Sequence, residues 1–126
     1  MMAEKISCFK QFKRLEEMTD SIGLVQHSDR EVPNPDYDYS IDDQARALIA
    51  LSRFYPDIPD STKDRCLHKT YFNFINSCKR VDWGFHNFLD KNNNLVLYRD
   101  GSVQNKGNLQ DCYGRVVWAL SEFINS

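Results

Sequence analysis

The sequence contains no long hydrophobic run and no block of basic residues. A membrane helix needs roughly 20 consecutive apolar residues, and no segment reaches that length. The N-terminal MMAEKISCFKQFKRLEEM alternates charged with apolar residues, so it lacks the apolar centre of a signal peptide. With 16 basic and 18 acidic residues the net charge is −2, which argues against nucleic acid or an anionic membrane as the main partner. We therefore expect a cytoplasmic protein.

Motifs for nucleotides and metals are also missing. The glycine-rich phosphate-binding patterns G-x-x-x-x-G-K and G-x-G-x-x-G do not occur, so nucleotide binding has no support. His27, His68 and His86 are too irregularly spaced for a zinc motif. The four cysteines form no C-x-x-C pair, and without an export signal we expect free thiols. The sequence predicts neither a metal nor a cofactor.

What the sequence does contain is typical of one soluble domain, residues 1–126. Hydrophobic residues make up 41% of the chain and charged residues 27%. Apolar residues recur every three or four positions over 4–19, 41–54, 61–78 and 111–124. This period predicts four amphipathic helices.

Local signals set the bounds of two of these helices. Ser40 and Asp43 form a capping-box pattern at the start of the second helix, which has to end before Pro56. Ser61 and Asp64 form the same kind of pattern and predict the start of the third helix.

The segments between the predicted helices have a different pattern. Residues 24–27 are typical of a short extended segment, and Pro33 and Pro35 indicate an irregular loop over 28–39. Within 83–101, two apolar stretches flank an Asn-rich turn, which predicts a small β-hairpin.

The second and fourth predicted helices begin alike. With Asp42 placed over Asp111, DDQARALIALSRF lies over DCYGRVVWALSEF, and both share the frame D-x-x-x-R-x-x-x-A-L-S-x-F. Both copies follow a loop rich in polar residues, which favours a true repeat of a helical unit. Each acid has an arginine one turn later, Arg46 or Arg115, so each helix can form an ion pair along one face.

Two interpretations of these helix starts are open. Acids in a first turn interact favourably with the helix dipole, so caps and ion pairs give a purely structural explanation. Alternatively, acids and arginines beside Tyr37 and Tyr39 suit a hydroxyl-rich ligand. Carboxylates and guanidinium groups bond to hydroxyls, and aromatic rings cover the apolar face of a sugar.

Residues 19–51 and 83–120 resemble a bacterial helical domain that occurs alone or behind glycosyltransferase domains. Its marks are T-D-x-x-G-x-x-Q-H, a Tyr followed by T-D-D-N-A-R-A-L, a strand with Gly, Phe and Asn, and an acidic S-x-G-R-A-x-W-A-L helix start. The positions that match are Thr19, Asp20, Gly23, Gln26, His27, Tyr39, Asp42, Asp43, Ala45, Arg46, Gly84, Phe85, Asn87, Phe88, Asp111, Gly114, Arg115, Trp118 and Ala119. The chain departs from the pattern with Ile41 in place of Thr, Gln44 in place of Asn and Tyr113 in place of His.

The resemblance implies an all-α fold of helical hairpins that forms part of an (α/α) toroid, like that of the six-hairpin glycosidases, with one small β-hairpin. In such a toroid the loops before the inner helices line a central cleft. The chain then corresponds to the first third to half of one toroid, so we expect residues 1–126 to form an incomplete one.

We therefore predict a carbohydrate-active protein, or a remnant of one, which binds a glycan at the N-termini of inner helices and hydrolyses it if the site is complete. Glycoside hydrolysis needs two carboxyl groups in different environments, and the catalytic candidates are Asp43 and Asp111. The predicted glycan contacts are His27, Tyr39, Asp42, Arg46, Trp83, His86 and Arg115. The alternative is a non-catalytic interaction module that completes its helical array by self-association or with a partner chain.

Overall fold

The computed structural model describes residues 2–30, 32–34, 38–80, 84–96 and 109–125. These residues are mostly helical, with two small two-stranded sheets. The helices are α1 (Met2–Glu17), α2 (Ile41–Phe54), α3 (Asp60–Asp64), α4 (Leu67–Ser77) and α5 (Leu109–Asn125). The strands are β1 (His27–Asp29), β2 (Val32–Asn34), β3 (Tyr39–Ser40) and β4 (Phe88–Leu89). In the described ranges, no helix is both long enough and apolar enough to cross a membrane.

Helix α2 is the centre of the structure and has the bounds that the sequence predicts. The Ser40 hydroxyl accepts a hydrogen bond from the Asp43 backbone N–H at 3.1 Å, which confirms the predicted N-cap. The helix packs against both α4 and α5. Its buried residues are Ile41, Gln44, Ala45, Ala47, Leu48, Ile49 and Leu51.

Helices α2 and α5 run parallel to each other. Asp42, near the start of α2, contacts Arg115, near the start of α5. Towards the other end of both helices, Arg53 of α2 lies 3.0 Å from the Glu122 carboxylate of α5. The two copies of the shared sequence frame are therefore adjacent helices that point in the same direction.

The structure extends the repeat backwards from these helices, into the turns that follow α1 and α4. After α1, Thr19 pairs with Leu24, and the Val25 N–H donates to the Met18 carbonyl at 2.7 Å. After α4, Lys79 pairs with Phe85 in the same antiparallel way. There the His86 N–H donates to the Cys78 carbonyl, again at 2.7 Å. The chain thus contains two units, each a helix, a closed turn and a second helix.

The predicted third helix is wrong in two respects. It is broken at Cys66, whose φ of 52° lies in the left-handed region, so α3 ends before α4 begins. The predicted cap at Ser61 is also absent, because α3 begins at Asp60 after Pro59 and has no side-chain cap hydrogen bond. Nothing in the sequence around Cys66 explains why the break falls there.

The short strands differ from the prediction as well. Strands β1 and β2 form an antiparallel hairpin inside the segment that the sequence predicts to be irregular. Arg30, with φ 60°, supplies the left-handed residue that such a tight turn needs. The predicted hairpin around the Asn-rich turn is represented by the Leu89–Leu95 bridge, and residues 97–101 lie outside the described ranges. Strand β4 also pairs with β3, which the sequence did not predict.

Candidate functional site at two helix starts

The two repeated helix starts meet at Asp42. One oxygen of its carboxylate, Oδ1, accepts a hydrogen bond from Arg115 Nε, and the other, Oδ2, lies 3.1 Å from Arg46 Nε. The ion pair between Asp42 and Arg46 confirms the prediction from the i, i+4 spacing. The contact with Arg115 was not predicted, and it joins α2 to α5 through the repeated acid and arginine positions.

Residues 84–89 lie between the two helix starts. The Asn87 carbonyl accepts a hydrogen bond from the Ile41 N–H at 2.9 Å, at the first residue of α2. On the other side, the Phe85 carbonyl accepts from the Tyr113 hydroxyl at 3.1 Å, in the first turns of α5. His86 is placed between these two anchored residues and is half-buried. Tyr113 therefore ties this segment to α5.

The structure thus brings several predicted site residues into one region. Asp42 and Asp43 occupy the first turn of α2 and are half-buried, and Arg46 is exposed one turn later. Arg115 reaches this group from α5, and His86 lies in the segment between the helix starts. Together they supply carboxylate acceptors, guanidinium donors and an imidazole on α2, on α5 and in the segment between them.

Tyr39 does not line an open cleft. Its ring is only 1% exposed, and its hydroxyl donates a hydrogen bond to the Asp20 carboxylate. Burial, together with this bond and the negative charge of Asp20, raises the pKa of the Tyr39 phenol above its ordinary value. The predicted glycan contact at Tyr39 is therefore corrected: this tyrosine is part of the core.

Three of the predicted site residues lie wholly or partly outside the described structure. Trp83 is not among the described residues. His27 belongs to β1 and Asp111 to the first turn of α5, but only their backbone positions are described. Their proposed roles stay predictions.

Gln44 has a role that the sequence did not reveal. Its fully buried side-chain amide accepts a hydrogen bond from the Leu24 N–H at 2.7 Å and donates to the Leu24 carbonyl at 2.9 Å. It also donates to the Ser40 carbonyl at 3.2 Å. Gly23 leaves room for this amide, because a Cβ there would lie 2.6 Å from Gln44 Oε1. Gln44 is thus a structural link between α2 and the turn after α1.

Thr19 and Asp20 hold the same turn in place. Thr19 shares a 2.7 Å hydrogen bond with the hydroxyl of the buried Tyr71 on α4. Asp20 accepts from the Ile22 and Gly23 N–H groups, at 2.9 and 3.1 Å, and so holds the turn closed. These residues connect the turn after α1 to the core.

Because two tyrosines are buried, we expect the free energy of unfolding to fall at alkaline pH. Burial raises the pKa of Tyr71 as it does that of Tyr39, so both phenols stay protonated in the folded chain above pH 10, where an unfolded tyrosine ionises. Their contribution to stability is fully present below pH 10 and falls as the pH rises further. The expected slope is up to about 1.4 kcal/mol per pH unit for each tyrosine.

Urea unfolding between pH 8 and pH 11 measures this slope. Replacing Tyr39 by Phe should make it shallower, whereas the same substitution at the exposed Tyr55 should leave it unchanged. Equal slopes in all three proteins would contradict the assignment of Tyr39 to the core.

The described residues contain no group of three or more His, Cys, Asp or Glu side chains that could hold a metal ion. The thiol of Cys66 is free and exposed. Comparison of the chain with models of known protein families, with curated proteins and with solved structures gave no match.

Proposed function

We propose that this protein binds a carbohydrate at the adjoining N-terminal ends of α2 and α5. We further propose that its two helical units are consecutive hairpins of an (α/α) toroid. The observation that carries the proposal is the contact between Asp42 and Arg115. It joins the N-terminal ends of two helices, each of which has an aspartate in its first turn. The resemblance of residues 19–51 and 83–120 to the bacterial helical domain supports the same assignment.

The residues at this end have distinct proposed roles. Asp42 uses both carboxylate oxygens to hold Arg46 and Arg115, so we assign it to positioning these two arginines rather than to proton transfer. The guanidinium groups then offer directional donors to sugar hydroxyls. Asp43, in the same first turn, and Asp111, at the start of α5, are the proposed acid and base. We place His86 at the bottom of the proposed site, between these two acids.

Hydrolysis is the more demanding part of the proposal. A retaining glycosidase needs its two carboxyl groups about 5 Å apart, and an inverting one about 6.5–9.5 Å apart. The anomeric form of the first product, followed by NMR, distinguishes these two geometries. Binding without turnover assigns the chain to glycan recognition alone.

Carbohydrate binding can be tested by thermal unfolding in the presence of a saccharide panel. The panel should contain di- to tetrasaccharides of α- and β-linked hexoses, N-acetylhexosamines and uronic acids. A saccharide present at 100 times its dissociation constant stabilises the folded chain by about 2.7 kcal/mol, which raises the melting temperature by several degrees. We expect at least one member of the panel to produce such a rise.

Two matched variants locate the effect. Asp43→Asn should reduce the rise by at least half, because it removes the negative charge and replaces one of the two proposed acceptor oxygens by an NH₂ donor. Asp57→Asn carries the same substitution on an exposed acid beyond the opposite end of α2 and should respond as the wild type does. The proposal is wrong if no saccharide stabilises the chain, or if both variants respond alike.

A further inference from the structure

We propose that a cavity at the C-terminal end of α2 binds a small uncharged molecule that has one aromatic ring and one hydroxyl group. The cavity has a volume of about 210 Å³, and its lining residues are Leu51, Ser52, Tyr55, His68 and Phe123. It lies at the opposite end of α2 from the proposed carbohydrate site and shares no residue with it. The inference therefore does not depend on the carbohydrate proposal.

The volume of the cavity suits one substituted ring. Packed protein interiors contain few voids larger than a water molecule. A cavity of about 150 Å³ with apolar walls is enough to hold benzene. The walls here come from α2, α4 and α5 and from the 3-10 turn Tyr55–Asp57 that follows α2. Because four elements contribute to it, the cavity is a product of the helix packing and not of a single loop.

Three of the five lining side chains have aromatic rings. The imidazole of His68 has its centre 6.1 Å from that of the Tyr55 ring and 6.0 Å from that of the Phe123 ring. The Tyr55 ring stands at 87° to the imidazole, whereas the Phe123 ring is inclined to it by 33°. Aromatic rings attract each other in edge-to-face and offset arrangements. A flat aromatic ligand can therefore add one more ring to this series.

The chemistry of the lining limits the polar groups of the ligand. None of the five lining residues is Asp, Glu, Lys or Arg, so a charged ligand would lose water without gaining an opposite charge. The polar side-chain groups are the hydroxyls of Ser52 and Tyr55 and the imidazole of His68. A few polar groups among apolar ones are typical of sites for small molecules. A sugar would leave several of its hydroxyls against apolar walls.

The Ser52 hydroxyl is the observation that points to a ligand hydroxyl. It is buried and has no hydrogen-bond partner in the part of the chain that the structure describes. A serine inside a helix can bond back to the carbonyl four residues earlier, and Ser77 and Ser121 both do so at 2.9 Å. Ser121 is the counterpart of Ser52 in the repeat. A buried hydroxyl without a partner is unfavourable, and a ligand can supply the partner that Ser52 lacks.

The proposed binding mode needs one side-chain rotation. The Ser52 oxygen is closed off from water, although the residue itself borders the cavity. Rotation about its Cα–Cβ bond turns the oxygen towards a ligand without moving the backbone. The ligand ring then packs against Leu51, Tyr55 and Phe123, and its hydroxyl bonds to Ser52 and to the imidazole of His68.

A titration of ¹⁵N-labelled protein with phenol tests the proposal. We expect a dissociation constant of about 1 mM or lower, as is reasonable for a ligand with so few atoms. The largest amide shifts should fall in residues 51–55 and at His68 and Phe123. Cyclohexanol has the same hydroxyl group and a similar size but no aromatic ring, so it should bind about three- to tenfold more weakly.

Two matched variants locate the bound phenol. Ser52→Leu adds a branched side chain at the cavity wall and should weaken phenol binding at least about tenfold. Ser121→Leu makes the same change at the exposed counterpart, outside the cavity, and should bind phenol as the wild type does. Circular dichroism and thermal unfolding show whether both variants are folded.

Ser52→Ala takes the place of Ser52→Leu if the latter does not fold. This variant removes only the hydroxyl and should weaken phenol binding about threefold or more. Toluene has no hydroxyl, so it should bind to Ser52→Ala as it does to the wild type.

The proposal is overturned if phenol at about 20 mM produces no saturable amide shifts around the cavity, since the cavity then holds water alone. It is also overturned if cyclohexanol binds as tightly as phenol, or if the folded Ser52 variant and Ser121→Leu bind phenol equally. A chain that binds phenol in this way but no saccharide would retain this inference and reject the carbohydrate proposal.

Discussion

Replacing Gln44 by Leu is expected to lower the free energy of unfolding by about 3 kcal/mol. The substitution keeps a side chain of similar volume, so little of the loss comes from a cavity. It removes three hydrogen bonds, two of them to the backbone of Leu24 and one to the carbonyl of Ser40. A buried polar group that loses its partner costs about 1–3 kcal/mol. A domain of this size is stable by only about 5–15 kcal/mol, so the change is large.

Urea unfolding followed by circular dichroism measures this loss. Gln26→Leu is the control, because Gln26 is exposed and should change stability by no more than about 0.5 kcal/mol. A Gln44→Leu protein as stable as the Gln26→Leu protein would show that the amide does not tie α2 to the first turn.

Replacing Asp42 by Ala is expected to lower the free energy of unfolding by about 2 kcal/mol. The carboxylate bonds to two arginines and is three-quarters covered, so its removal leaves the partly buried Arg115 without this carboxylate. This expected loss of stability is smaller than the loss on breaking a fully buried ion pair, because water still reaches both partners.

A double-mutant cycle isolates the contact between the two helix starts. Combining Asp42→Ala with Arg115→Ala should give a coupling energy of about 1 kcal/mol. The corresponding cycle with Arg46→Ala should give about 0.2–0.5 kcal/mol, because that pair is an exposed one within a single helix. A coupling energy near zero between Asp42 and Arg115 would mean that the two helix starts do not meet in solution.

Local signals in the sequence were sufficient to predict α2. Ser40 supplies a cap that acts within three residues, and Pro56 excludes the helix just beyond its end. The 3.6-residue period also predicted α5 to within two residues at either end. Each of these signals depends only on neighbouring residues, which is why the sequence alone contains them.

Long-range pairings were not predictable in this way. The strand that the sequence placed in a hairpin keeps one bridge of that hairpin, between Leu89 and Leu95, but it also pairs with Tyr39 and Ser40, about 50 residues earlier along the chain. No local pattern specifies such a partner, because two-residue strands have no alternation that fixes their register. The break at Cys66 was missed for a related reason, since a left-handed residue is expected at Gly or Asn rather than at Cys.

The candidate site was predicted in part. The predicted pair of acid and arginine forms within the first copy, between Asp42 and Arg46, and a second bond that was not predicted crosses between the copies, from Arg115 to Asp42. Tyr39 was assigned to a ligand because an aromatic ring in a loop looks the same in sequence whether it is exposed or buried. Thr19, Asp20 and Gly23 show the same ambiguity, since the matches to a family pattern here close a turn.

The most direct test of the carbohydrate site is a two-dimensional NMR titration of ¹⁵N-labelled protein with a saccharide that raises its melting temperature. The proposed site predicts that the largest amide shifts fall at the start of α2, in residues 84–88 and in the first turns of α5. A cavity of about 210 Å³ lies at the other end of α2 and is lined by Leu51, Ser52, Tyr55, His68 and Phe123. Amide shifts that cluster around this cavity, or no shifts with any saccharide, would contradict the assignment of the ligand to the two helix starts.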